Sequence, residues 1–361
     1  MRIALLGTRG IPANYGGFET FAEELSTRLA ARGHDVTVYC RERYAEKTYR
    51  GVTLIWLPSI RHKYFDTLVH TGVSTLWLMF RPCDVALYCN AANAIFTILP
   101  RLRRVPVALN VDGIERKRRK WNRMAKAWYL MSEYLATILP TRIIADAEVI
   151  QRYYRDRYAK DSNFIAYGAD ESVEPGRNAL DLLGLEPGRY FLYVSRFEPE
   201  NHPLEVRRAF ERISTDMKLA LVGDAPHAGE YIRQVRDTAD ARIVIPGAIY
   251  GRGYRELGSH CFAYIQATEV GGTHPALIEN MARGALVLYR NTPENAEVCG
   301  DAGLPFEGEE GLEAAMRWAL EMPDAERDSY RDRARTRVRE RYDWEVVTTQ
   351  YERLFESLVS H

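Results

Sequence analysis

The sequence predicts an α/β protein made of two consecutive doubly wound parallel-sheet domains that face a central cleft. Three observations predict it. Short apolar runs alternate with amphipathic helical stretches along all 361 residues, which is the pattern of parallel strands joined by crossover helices. That length exceeds one ordinary hydrophobic core and suits two. Between the halves, residues 166–178 read AYGADESVEPGRN, a Gly, Pro and acid-rich linker after which the alternation restarts.

In the first domain, residues 1–170, strands are expected at 3–7, 35–40, 53–57, 85–88, 105–109 and 142–145. Each is an apolar or β-branched run bounded by turn residues. A helix over 20–31 is closed by Gly33, and a longer one spans about 117–139. The second domain, 171–343, has strands expected at 190–195, 218–222, 242–245, 261–265 and 286–289, with helices around 204–213, 230–235, 275–283 and 311–320. A last helix, 344–358, lies beyond these strands and is expected to pack back toward the first domain.

The net charge of zero hides an asymmetry. Through Asp170 there are 26 Lys+Arg against 16 Asp+Glu, and after it 23 against 33. Opposite signs in the two halves suggest different partners. Five cysteines without C-x-x-C spacing suggest neither a disulfide framework nor a zinc site, and a cytoplasmic location is expected. The opening MRIALLGTRG reads as a first buried strand, and no run approaches the apolar length of a spanning helix.

The most informative stretch is 268–284, TEVGGTHPALIENMARG. A glycine turn, Gly271-Gly272-Thr273, opens a helix with Pro275 at its first position and His274 just before it. The N–H groups of Ala276 and Leu277 are expected to meet an anion at the positive end of the helix dipole. Glu279, four residues beyond Pro275, lies on the same helix face about 6 Å further along, the offset of a ribose from its diphosphate. A carboxylate accepts from two vicinal hydroxyls. The local reading is a nucleoside diphosphate site.

The first loop, 8–25, repeats the device with Gly16-Gly17 before a helix. Its glycine spacing is not that of a G-x-G-x-x-G dinucleotide fingerprint, and no G-x-x-x-x-G-K-[ST] occurs. NAD enzymes and P-loop ATPases are therefore disfavoured.

With these loops in place, the chain resembles retaining glycosyltransferases of the GT-B fold, with two Rossmann-like domains, in the large group called family 4. Its opening GTRGIPANYGGFET is similar to a bacterial rhamnosyltransferase-like branch, and VGGTHPALIENMARG stands where other members carry E-G-F-G-x-P-x-L-E-A-M-A-x-G. The resemblance implies that Gly16 and Gly17 lie against the donor phosphates or transferred sugar. It implies that Arg196, in VSRFEPEN, binds the diphosphate, that Glu279 holds the ribose, and that Ile249, in PGAIYG, meets the base. Gly272, Thr273, His274, Ala276 and Leu277 complete the donor set. Three positions depart from the pattern. The family's first glutamate falls on Gly271, with Glu269 two residues away; its lysine falls on Asn201, beside His202; and H-G-x-E becomes Asp112-Gly113-Ile114-Glu115. Asp112 and Arg196 are thus the candidate catalytic residues, Asp112 toward the transferred sugar or the acceptor hydroxyl.

The implied reaction moves a hexose, L-rhamnose from dTDP-L-rhamnose, to a saccharide or polyprenyl-diphosphate-linked acceptor in surface polysaccharide assembly. The anomeric configuration is retained. Amides and Arg196 replace a metal ion, so neither metal nor cofactor is expected. A non-catalytic sugar-nucleotide-binding protein and a nucleotide-sugar epimerase are the alternatives. On the acceptor side, ERKRRKWNRMAKAW, 115–128, carries seven basic residues among large apolar ones. Arg116, Lys117, Arg118, Arg119, Lys120 and Trp121 are expected to form a basic helix face against an anionic membrane, and the upstream stretch 61–82 adds apolar contact. Peripheral attachment to the inner face of the cell membrane follows. No nucleic-acid-reading motif accompanies the charge.

Overall fold

A computed structural model describes residues 1–13, 16–60, 65–118, 121–225 and 229–360. The chain divides into two units, Met1–Tyr167 with Trp344–His361, and Gly168–Asp343. Each is built on its own sheet, so the expected pair of parallel-sheet α/β domains is what the chain forms.

In chain order the first unit runs β1 (Arg2–Leu6), α1 (Gly17–Ala31), β2 (Asp35–Cys40), β3 (Thr48–Tyr49), β4 (Val52–Trp56), α2 (Asp66–Leu78), β5 (Val85–Cys89), α3 (Ile98–Leu102), β6 (Val107–Asn110), α4 (Arg123–Ile138), β7 (Arg142–Ala145), α5 (Glu148–Tyr158) and β8 (Asn163–Phe164). The eight strands lie in the order β3-β4-β2-β1-β5-β6-β7-β8. All pairs are parallel except the short β3–β4 hairpin. Every residue of β5 is buried, as expected of a central parallel strand covered on both faces. The winding reverses between β1 and β5, which pair directly, Ile3 opposite Val85. Gly7, at the end of β1, sits at this reversal with φ +94°, and a Cβ there would stand 2.4 Å from the Cys89 carbonyl oxygen. Only glycine suits that position.

Helix α2 turns a polar face inward. His70, Thr71, Ser74 and Thr75 are fully buried, and Thr75 Oγ1 shares a 2.9 Å hydrogen bond with Tyr88 Oη. Burial, aided by the Arg41 guanidinium and opposed by Asp66, pushes the His70 imidazole down to about 4. Between pH 6.5 and 4 the unfolded chain therefore takes up a proton that the folded unit refuses, so stability falls as pH falls through that window, by roughly 3 kcal/mol. Urea unfolding at pH 7 and pH 4 should show a larger loss in the wild type than in His70→Leu. Equal losses would contradict the assignment.

The second unit runs α6 (Asn178–Leu183), β9 (Tyr190–Val194), α7 (Pro203–Glu211), β10 (Lys218–Val222), α8 (Gly229–Arg236), β11 (Ile243–Gly247), α9 (Gly251–His260), β12 (Ala263–Gln266), α10 (Pro275–Ala282), β13 (Leu286–Arg290), α11 (Pro293–Cys299), β14 (Gly303–Phe306), α12 (Gly308–Glu321) and α13 (Asp324–Arg341). Its six parallel strands lie in the order β11-β10-β9-β12-β13-β14. The winding reverses between β9 and β12. Phe191, Tyr193, Phe210 and Ile265 fill the core around that reversal. Arginines of α13 hold neighbouring helix ends from outside: Arg337 donates to the Glu297 and Val298 carbonyls at 2.6 Å, and Arg335 to the Arg283 carbonyl at 3.5 Å. They satisfy C-terminal carbonyls that a helix leaves open.

The last helix, α14 (Trp344–Val359), belongs to the first unit. Tyr351 packs on Phe21 of α1, with 5.5 Å between ring centroids, and its hydroxyl accepts from Asn110 Nδ2 at 3.1 Å. Arg32 and His34 pair with Glu352 at 2.8 and 2.7 Å.

One expected element starts elsewhere. The helix expected from about 117 begins at Arg123, because the Asn122 side chain accepts from the Ala125 N–H at 2.9 Å and caps it there. Among the described residues no helix is long and apolar enough to cross a membrane.

Candidate functional site

Ligands of open parallel sheets bind beyond the carboxyl ends of the strands where the winding reverses. In the second unit that place lies between the loops after β9 and β12. These are the loops that carry Arg196 and residues 267–274. They touch: the Glu269 N–H donates to the Glu200 carbonyl at 2.9 Å.

Arg196 follows β9 by two residues and its side chain is 38% exposed. Its guanidinium approaches Glu198 at 3.9 Å, too far for a strong pair. Asn201 does not present itself to a ligand, as the donor assignment required. It is buried, its Nδ2 donates to the Arg196 carbonyl at 2.7 Å, and its own carbonyl accepts from Tyr193 Oη at 2.8 Å. Asn201 is thus a brace for the Arg196 loop. His202 holds carboxylates on both sides, Glu205 at 2.5 Å on Nδ1 and Glu269 at 3.1 Å on Nε2. The His202 hydrogen bond, with Arg290 adding its charge, lowers the Glu205 carboxyl to about 2. Glu205 and Arg290 were not singled out from the sequence; the i, i+3 spacing of His202 and Glu205 was the available signal.

The loop before α10 is tightly anchored. Arg290 Nε donates to the Ala267 carbonyl at 3.1 Å and Asn295 Nδ2 to the Thr268 carbonyl at 3.0 Å. Gly271, Gly272 and Thr273 are buried. A Cβ on Gly271 would stand 2.3 Å from the His274 ring, so the imidazole occupies the space a glutamate would need at that position. Helix α10 starts with His274 at its N-cap and Pro275 at N1, without a side-chain cap. The Leu277 N–H is not available as expected, since it donates to the His274 carbonyl at 3.0 Å. The Ala276 N–H is left without an acceptor among the described residues. One turn on, Glu279 is 17% exposed and 3.8 Å from Arg283, whose guanidinium lies 4.9 Å over the Tyr254 ring. Burial and the Glu279 carboxylate hold the Tyr254 phenol well above its usual range. Arg283, four residues after Glu279, was legible as an i, i+4 partner; Tyr254 on α9 was not. Ile249 follows the edge strand β11 and is half-buried, at the carboxyl end of the same sheet.

In the first unit, Gly16 is the N-cap of α1 in an extended conformation, and its carbonyl accepts from Glu19 and Thr20 at 3.1 and 3.2 Å. Gly17 is the first helical residue. Buried Glu19 accepts from the Arg9 N–H at 3.0 Å, and its burial pushes its carboxyl upward. Asp112 follows β6 with φ +59°, a conformation Asp tolerates, and its N–H donates to Asn110 Oδ1 at 3.0 Å. Gly16, Gly17 and Asp112 follow the carboxyl ends of β1 and β6.

Among the described residues the basic segment is not the expected helical face. Arg116 pairs with Glu133 at 3.0 Å and donates to Tyr153 Oη at 2.8 Å. Arg118, 8% exposed, bonds Glu115 at 2.6 Å, and Trp121 Nε1 donates to Glu115 at 3.1 Å. Lys117 is exposed; Arg119 and Lys120 lie outside the described residues. Internal carboxylates hold Arg116 and Arg118, so the membrane role assigned to those two loses its geometric basis. Among the described residues no three His, Cys, Asp or Glu side chains gather as metal ligands.

Residues 15–170 match the family model described as Glycosyltransferase Family 4. The phosphatidyl-myo-inositol mannosyltransferase of Mycolicibacterium smegmatis is 27% identical over 235 residues, covering 60% of this chain and 57% of that protein. The N-acetylgalactosamine-N,N'-diacetylbacillosaminyl-diphospho-undecaprenol 4-alpha-N-acetylgalactosaminyltransferase of Campylobacter jejuni is 26% identical, covering 48% of each. The chain thus spans about half the length of the curated relatives it matches. The solved structure of sucrose-phosphate synthase from Thermosynechococcus elongatus superposes with a TM-score of 0.82 at 20% identity, covering 99% of both chains. Residues 15–170 are thus similar to a family 4 glycosyltransferase domain, and the fold is that of the GT-B glycosyltransferases.

Proposed function

We propose that the chain is a retaining, metal-independent hexosyltransferase that moves L-rhamnose from dTDP-L-rhamnose to a lipid-linked or free saccharide. The observation that carries the reading is the meeting of the Arg196 loop with the glycine turn of α10 at the winding reversal of the second unit, with Glu279 one turn into that helix. A diphosphate there meets the Ala276 N–H, the helix dipole and a guanidinium. Glu279 accepts from the ribose hydroxyls. As the bond from the anomeric carbon to the β-phosphate oxygen breaks, Arg196 neutralises the charge that gathers on the leaving diphosphate. The acceptor oxygen attacks the same face and its proton passes to the departing phosphate, so configuration is retained. In the first unit, Asp112 is the candidate group toward the acceptor hydroxyl. The curated relatives, both named as transferases of a sugar to lipid or diphospho-undecaprenol acceptors, support a lipid-linked acceptor. The rhamnosyl donor is supported by the opening GTRGIPANYGGFET.

Labelled dTDP-L-rhamnose, UDP-N-acetylglucosamine and GDP-mannose, each incubated with the protein and a polyprenyl-diphosphate-linked GlcNAc, with and without EDTA, test the proposal. Chelator-insensitive rhamnosyl transfer with retained configuration is expected. Transfer from another donor would replace the sugar, and donor binding without turnover would remove the enzyme.

A further inference from the structure

We propose that the first unit docks on an anionic lipid bilayer through an apolar face shared by α2, α3 and α4. Arg116 and Arg118, held by internal carboxylates, are not part of this face. The three helices adjoin, because α3 holds the ends of the other two: Arg101 donates to the Leu139 carbonyl at 2.6 Å, just past α4, and Arg103 donates to the Met79 carbonyl, just past α2. Large apolar side chains stand in solvent at those joined ends, Phe80 88% exposed and Leu102 73%, with Leu76 and Ile138 also exposed. Along α4, exposed Met124, Met131 and Ile138 recur every seven residues, which places them on one side of the helix over about 21 Å. Single exposed apolar residues are ordinary, but a patch running across three helices marks a contact surface.

Charge identifies the partner. Residues 66–82, 91–105 and 121–142, which hold the face, contain seven Lys and Arg and two acids, Asp66 and Glu133. Glu133 is buried against Arg116 and Tyr153 and Asp66 pairs with Arg41 at 3.0 Å, so cations predominate on the exposed surface. Arg81 lies 5.6 Å over the half-exposed Trp77 ring at the margin of the patch, an aromatic with a cationic neighbour of the kind that settles at headgroup depth. Flexible Met, Leu and Phe surrounded by Arg and Lys match acyl chains below anionic headgroups. The inference deepens the lipid-linked acceptor reading. The Asp112 loop leads through the Glu115–Lys117 turn to the start of α4, so a bilayer under the α4 stripe approaches the acceptor residue from the same unit.

Co-sedimentation of the full chain with vesicles of phosphatidylcholine alone, or with roughly a third phosphatidylglycerol, tests it. Binding to the anionic vesicles is expected. Phe80→Asp with Leu102→Asp, and separately Met131→Asp, should weaken it at least about tenfold, while Lys117→Ala leaves it nearly unchanged. All these sites are exposed, so melting temperature and dTDP binding by the second unit should stay as in the wild type. No vesicle binding by the wild type, or equal binding by the variants, overturns the proposal. So does a dimer in sedimentation velocity that the same substitutions dissolve, since the face would then meet a second copy. Absence of dTDP binding would instead count against the donor site and leave the vesicle result standing.

Discussion

Replacing Arg196 by alanine is expected to lower kcat roughly a hundred- to a thousandfold while leaving the fold and most donor affinity in place. The geometry separates the two effects. The guanidinium is partly exposed and meets Glu198 only at 3.9 Å, so its loss strands no strong partner and stability should change by about 0.5 kcal/mol or less. The loop itself is held through its own backbone, by the Asn201 side-chain amide on the Arg196 carbonyl and the Phe197 N–H on the Asp224 carbonyl at 3.3 Å. Those bonds survive truncation of the side chain. On the proposed mechanism the ground-state diphosphate also meets the α10 terminus, whereas charge on the β-phosphate grows as the glycosidic bond opens. A cation placed there is favoured most in the transition state and its removal falls on kcat more than on KM. Arg196→Lys keeps the charge without the planar fork and should recover part of the rate. Wild-type kcat for Arg196→Ala, measured beside an unchanged melting temperature, would remove Arg196 from the chemistry.

What the sequence disclosed follows from which interactions are local. The strands at both winding reversals, β1, β5, β9 and β12, are short apolar runs between turn residues, and Gly271 through Pro275 announces a helix start in five consecutive letters. The elements that escaped lack such signals. Strand β14 reads GLPF, and its proline is tolerated because β14 is the edge of the sheet. Helix α13 buries Ala334 and Val338 and is otherwise arginine-rich, so its apolar period is faint and its arginines act on carbonyls of other helices. The site misjudgements have one cause. Asn201 stands where a phosphate cation was expected, yet its amide is turned to the backbone five residues earlier. Arg116 reads as a surface charge, but Glu133 and Tyr153, far along the chain, draw it inward. A residue's type and spacing reveal which chemistry it offers; its partners, set by tertiary packing, decide whether a ligand receives it.

Gly223 shows the same dependence from the side of stability, and Gly223→Ala should be the most damaging small substitution in the second unit. Gly223 follows β10 and continues its pairing: its N–H donates to the Gly247 carbonyl at 2.9 Å, while the Ser195 N–H donates to the Val222 carbonyl at 3.1 Å. The chain leaving β9 therefore passes directly over it. A Cβ at 223 would lie 1.8 Å from the Ser195 carbonyl oxygen and 2.8 Å from the Phe197 ring. The nearer obstacle is backbone, which no side-chain rotation relieves, and Phe197 is fully buried. Either strand pairing opens or residues 195–197 shift, carrying Arg196 with them. A cost of about 3 kcal/mol or more is expected from overpacking of this kind. Gly229→Ala serves as the control, because a Cβ there meets nothing within 4 Å and alanine favours a helix. Urea unfolding should place Gly229→Ala at or above the wild type and Gly223→Ala far below. Any folded Gly223→Ala should also resemble Arg196→Ala in its transfer rate, since the guanidinium has lost its place; wild-type stability together with wild-type rate would mean that the loop after β9 does not cross Gly223 as described.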